Sequence, residues 1–166
     1  LLGLRSVTGL RISEALDLKL SDVDMQQAVL TIHAAKLGRS RLVPLHSTTC
    51  AVLAEYMRRR EDFLGSRDSN YLFVSTKGTR LDGGRVHRAF YELSRQTGLR
   101  APGVSRGPRL HDFRHRFAVM VLTRWYQTGI DPQRHLPVLS TFLGHVYGQG
   151  TYGYPPVASK AIRSTL

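Results

Sequence analysis

The 166-residue chain is predicted to be mainly α with a small antiparallel β-sheet, an α+β fold. Three observations predict this. Apolar residues recur at helical spacing over several long segments. Two short strand-like runs flank a glycine-bearing stretch. Breaks at Thr8-Gly9, Pro44, Gly98, the Pro/Gly-rich stretch 101–109, Gly129 and Gly144 separate these segments. An apolar fraction of 42% suits a real core in a chain of single-domain length.

The elements follow in order. Leu1-Leu2-Gly3-Leu4 has the look of a helix interior, and Thr8-Gly9 breaks it. Residues 11–20 are predicted helical, with Ile12, Ala15 and Leu16 on one stripe. Residues 22–24 read as a turn. Residues 29–32 and 41–43 form two strands, joined by a hairpin tip over 34–40 with Gly38 at its turn, and Pro44 ends the second strand. Ser47 is the expected cap of a helix running to residue 60, with Val52, Leu53, Tyr56 and Met57 inward. Residues 71–74 are extended, and 83–96 are helical up to Gly98. A Pro/Gly-rich loop covers 101–109. A long helix spans 111–127, stopped by Gly129, with Phe117, Val121 and Trp125 in the core. Asp131-Pro132 opens another, which runs to 143 and ends at Gly144. Pro155-Pro156 prevents direct continuation of a helix after Tyr154, so a short one restarts near Val157.

Charge narrows the function. Twenty-four Lys and Arg against twelve Asp and Glu leave +12. The excess is +5 over residues 1–99 and +7 over 100–166, so it is densest late in the chain. A compact protein this basic attracts a polyanion, and nucleic acid is the commonest one. Cys50 stands alone, which excludes an internal disulfide and a cysteine-based zinc site. Its longest apolar run, residues 117–122, is too short to span a bilayer, so no membrane association is expected.

Four clusters carry the chemistry: Thr8-Gly9-Leu10-Arg11-Ile12-Ser13-Glu14, Lys36 before Arg41-Leu42-Val43-Pro44-Leu45, His111-Asp112-Phe113-Arg114-His115, and Leu143-Gly144-His145 with Tyr154 nine residues on. Their order and spacing, from Arg11 to Tyr154, resemble the signature boxes of the tyrosine recombinase (phage integrase) family, which includes Xer- and Cre-like enzymes. The resemblance implies a tyrosine recombinase catalytic-domain fold and cleavage and rejoining of double-stranded DNA through a 3′-phosphotyrosyl link on Tyr154. Arg11 and Arg114 would clamp the scissile phosphate through paired, charge-assisted hydrogen bonds. His111, three residues before Arg114 and on one helix face with it, would assist proton transfer or hold a phosphate oxygen. His145 would donate to the same phosphate. Lys36 would protonate the departing 5′-oxygen. Glu14 would orient the site. A phenol with a pKa near about 10 needs an electropositive site or a base to become a nucleophile. No metal, nucleotide or other cofactor is expected, because the arginines meet the charge and the phosphotyrosyl link conserves the bond energy.

Other readings compete. A type IB topoisomerase would use the same chemistry to relax supercoils, and a catalytically inactive integrase remnant would bind DNA without capture. His111 and His115 have the i, i+4 spacing of a zinc helix, but Arg114 would place a fixed charge beside the metal, so His115 is expected to pack or bond to backbone. Residues 1–166 are expected to be a catalytic domain, a fragment lacking the N-terminal core-binding domain, monomeric in isolation. The full-length protein is expected to act as a homotetramer on DNA, in the cytoplasm with the nucleoid.

Overall fold

A computed structural model describes residues 1–33, 40–101 and 103–144. Helix α1 (Leu2–Thr8) ends at Gly9, whose φ of 64° is left-handed. A Cβ on Gly9 would lie 2.8 Å from both Leu143 Cδ2 and Phe117 Cδ1, so space and backbone both demand glycine there. Helix α2 (Ile12–Asp17) follows, with Arg11 as its N-cap. It is shorter than the predicted 11–20. Leu18 turns extended, and its carbonyl accepts from Leu72 N at 2.8 Å, so a tertiary pairing ends the helix before its own pattern does.

A 3₁₀ turn (Leu20–Asp22) then leads into β1 (Val23–Asp24), where only a turn was expected. Among the described residues, β1, β2 (Val29–His33) and β3 (Ser40–Pro44) make an antiparallel sheet in the order β1-β2-β3. Leu30 pairs with Val43, and both are fully buried; His33 pairs with Ser40. The connecting residues 34–39, including Lys36 and the predicted turn at Gly38, lie outside the described residues.

Helix α3 (Ser47–Leu64) is capped by His46 rather than Ser47 and runs four residues past the expected end at 60. Leu53 is buried, but Val52, expected inward, is 72% exposed. Residues 71–74 contribute two isolated bridges, Lys19 with Tyr71 and Val74 with Arg80, not a continuous strand. Helix α4 (Gly83–Gln96) is capped by the Asp82 side chain and helix α6 (Pro132–Leu143) by that of Asp131, with Gly144 left-handed at its end, whereas helix α5 (Asp112–Gln127) starts after His111 without a side-chain cap. These three helices match their predicted spans to within a residue.

Helix α1 packs on α5, α5 on α6, and α6 against β3. Phe117, Val121 and Trp125 of α5 are buried as expected, and Phe117 stacks on Phe142 of α6 with centroids 5.4 Å apart. The packing brings the α1–α2 turn, the start of α5 and the end of α6 together beside β3. No helix among the described residues is long and apolar enough to cross a membrane.

Candidate active site

Helix α6 ends with carbonyls that have no partner within the helix and carry the negative end of its dipole. Three arginines from three distant segments meet them. Arg41 Nε of β3 donates to Phe142 O at 2.9 Å. Arg11 Nη2 donates to Gly144 O at 2.9 Å, and its Nη1 lies 3.4 Å from Leu143 O. Arg114 of α5 donates to the same Leu143 oxygen and, through Nη1, to Gly9 O at 3.0 Å. Arg11 and Arg114, 103 positions apart in sequence, therefore converge on a single carbonyl.

Glu14 holds this cluster from beneath. Its carboxylate accepts from Arg11 N and Arg11 Nη1, each at 2.8 Å, and from Arg41 Nη1 and Nη2 at 2.9 and 2.8 Å. The bond to Arg11 N also closes the first turn of α2. Burial would raise the Glu14 carboxyl, but the hydrogen bonds and charges of Arg41 and Arg11 outweigh it and leave it below the ordinary carboxylate value.

Two guanidiniums, of Arg11 and Arg41, thus hold one carboxylate, and Arg114 joins Arg11 at the Leu143 carbonyl beside them. Burial, followed by the charges of Arg11, Arg41 and Arg5, lowers Arg114 to about 10 against the partial relief of Glu14. Three guanidiniums against one carboxylate leave this cluster with surplus positive charge, which favours an anion. The burial differs among them. Arg114 is 4% exposed and the Arg41 side chain 9%, whereas the Arg11 side chain is 40% exposed and available to a ligand.

His111 sits at the N-cap of α5, one turn before Arg114, and is exposed. Its carbonyl accepts from Arg114 N at 3.1 Å. His115 is also exposed, which corrects the packing half of its reading as a packing or backbone-bonding histidine. It lies one helical turn past His111, on the solvent-exposed side of α5. Among the described residues no three His, Cys, Asp or Glu side chains gather as a metal site would require. The predicted residues Arg11, Glu14 and Arg114 are brought together, with His111 on the segment leading into Arg114. Lys36, His145 and Tyr154 lie outside the described residues, although His145 directly follows the arginine-capped end of α6. Sequence reasoning missed Arg41 and Arg5. The Arg41-Leu42-Val43-Pro44-Leu45 string was a signal for Arg41; no local signal marks Arg5.

A model of the phage integrase family matches residues 1–159. The chain belongs to the phage integrase family. This family member is 53% identical to a Sinorhizobium fredii protein named as an integrase/recombinase, y4rB, over 98% of the chain and 54% of that protein. It is 30% identical to the tyrosine recombinase XerA of Pyrococcus furiosus, over 96% of the chain and 50% of XerA. Its fold superposes on the XerH site-specific recombinase bound to a difH substrate in a pre-cleavage complex, with a TM-score of 0.64 and 25% identity, covering 88% of this chain and 39% of that one. The integrase-family chain spans about half the length of the curated relatives it matches. The mainly α architecture with its small antiparallel sheet is that of a tyrosine recombinase catalytic domain.

Proposed function

We propose that this chain is the catalytic domain of a site-specific recombinase that cleaves and rejoins double-stranded DNA through Tyr154. The observation that carries the reading is the convergence of Arg11 and Arg114 on the Leu143 carbonyl, in a pocket where Arg11 and Arg41 share the Glu14 carboxylate. Such a pocket suits a phosphodiester that gains negative charge as it reacts. The relatives named as recombinases and the DNA-bound XerH structure support the same substrate.

In this mechanism the Tyr154 hydroxyl gives up its proton, with His111 assisting the transfer, its oxygen attacks phosphorus and the bond to the 5′-oxygen breaks. The phosphate stays a diester, now to tyrosine, and the 5′-oxygen takes a proton. Arg11, the exposed guanidinium, binds a non-bridging oxygen. Arg114, buried and committed to two main-chain carbonyls, supplies fixed positive charge and holds the end of α6. His111 and His145 contact the same phosphate, and Lys36 protonates the leaving oxygen. Attack by a 5′-hydroxyl on the tyrosyl phosphate reverses every step, so rejoining needs no nucleotide cofactor. Glu14 orients Arg11 and Arg41. In the longer protein, four protomers assemble on DNA, whereas this domain alone is monomeric; the protein works at the nucleoid.

The test is covalent capture. The chain is incubated with a nicked duplex that, on cleavage, releases the short fragment bearing the new 5′-hydroxyl, and the product is resolved under denaturing conditions. Tyr154→Phe is expected to abolish the covalent adduct and keep DNA binding. An adduct that persists in Tyr154→Phe would remove Tyr154 from the mechanism.

A further inference from the structure

Arg5 lies in α1 and is 1% exposed, yet it contacts no phosphate-facing position described above. Its Nε donates to Leu10 O at 3.1 Å and its Nη2 to Leu110 O at 2.8 Å. These two nitrogens form one edge of the planar guanidinium, whose geometry is rigid. Leu10 and Leu110 are 0% and 1% exposed. Each directly precedes a site residue: Leu10 precedes Arg11 and Leu110 precedes His111. One side chain therefore ties together two backbone segments that are 100 residues apart in sequence. The ring of Phe113 lies 5.6 Å from the guanidinium carbon and covers it.

This arrangement is poorly suited to stabilising a core for its own sake. Arg5 Nη1 has no hydrogen-bond partner among the described residues, and Glu14 is the one carboxylate that relieves the charge. A buried cation with an unpaired donor is generally less stable than an apolar side chain of the same volume. What the arginine adds is a fixed spacing between two loops. The Leu110 side is braced further. Arg100, 5% exposed, donates to Pro108 O at 2.7 Å and to Ser105 O, with its guanidinium 4.6 Å over the Tyr91 ring.

We propose that Arg5 is a positioning residue for strand cleavage, setting the separation of Arg11 and His111 by holding the Leu10 and Leu110 carbonyls on one guanidinium edge. The proposal rests on the reading of Arg11 and His111 as phosphate-binding residues.

The test compares the wild-type chain with Arg5→Met, which fills the volume without donors, and Arg5→Lys, which restores a donor. Three quantities are read: the single-turnover rate of covalent capture at saturating protein, the equilibrium affinity for the same duplex, and amide hydrogen exchange across residues 9–12 and 110–113. Displacement of a site by about 1 Å costs on the order of 100-fold in rate. Arg5→Met is therefore expected to slow capture roughly 10- to 100-fold per folded molecule, with affinity changed less than about threefold, and to speed exchange in both segments but not in α3. Arg5→Lys is expected to recover part of the rate. Capture by folded Arg5→Met within about twofold of wild type overturns the proposal, as does a loss that only tracks the folded fraction. If Arg5→Met does not fold, Arg5→Lys decides: a slowed rate at kept affinity supports the role, and a wild-type rate overturns it. If the wild type captures no DNA, the recombinase reading fails, and exchange still judges the clamp: unchanged protection at both segments in either variant overturns it.

Discussion

Replacing Glu14 by Gln removes the negative charge that Arg11 and Arg41 share while keeping the side chain's shape. The Glu14 and Arg41 side chains are 10% and 9% exposed and share two hydrogen bonds of 2.9 and 2.8 Å, so their pair is largely desolvated. Breaking a buried pair by removing one partner costs about 3–5 kcal/mol. The Arg11 side chain is 40% exposed, so its ion pair adds little beyond the bond from Arg11 N. Gln retains one acceptor, which places the loss at about 2–3 kcal/mol, between a charged hydrogen bond and a fully broken pair. For a chain of this length that corresponds to a drop in melting temperature of roughly 4–12 °C. The sign with pH follows from the lowered Glu14 value. The carboxylate's contribution is fully present above its unfolded pKa, ordinarily 4.5, and is lost as pH falls through the lower folded value. Thermal unfolding followed by circular dichroism, for wild type and Glu14→Gln, should show a constant gap above about pH 6 that closes below 4.5. Added sulfate should narrow the gap at neutral pH by supplying the missing negative charge. A gap under about 0.5 kcal/mol, or one that persists unchanged at pH 3, would refute the account of Glu14 as the clamp's counter-charge.

Other outcomes follow from the same geometry. Gly9→Ala places a Cβ 2.8 Å from Leu143 and Phe117 at a φ of 64° and should cost about 2–4 kcal/mol in urea unfolding; a loss below about 1 kcal/mol would show that the turn relaxes freely. DNA affinity should fall with salt at a log–log slope of about −0.9 per phosphate contacted, and a slope near zero would contradict backbone binding.

Local chemistry accounts for much of what was legible in the sequence. Helices α4 and α6 match their predicted spans because Asp82 and Asp131 cap them through their own side chains and Gly144 ends α6, all within a turn of the residues concerned. The signature clusters named Arg11, Glu14 and Arg114 in advance, since residue types at fixed spacings are visible in one dimension. Tertiary structure decided the rest. Residues 18–20 carry a helical pattern but leave the helix, because the Leu18 carbonyl finds its partner 54 positions away at Leu72. Val52 fits the stripe of α3, yet among the described residues it stays 72% exposed while Leu53, one position on, is buried. The net charge of +12 suggested a basic surface, but Arg5, Arg60, Arg100 and Arg114 are buried and spent on main-chain carbonyls. A count of arginines carries no information on which of them face solvent. Whether one binds DNA or braces a loop depends on which carbonyls the folded chain brings within reach, and these lie from 5 residues away, as for Arg100 and Ser105, to 105, as for Arg5 and Leu110 or Arg114 and Gly9.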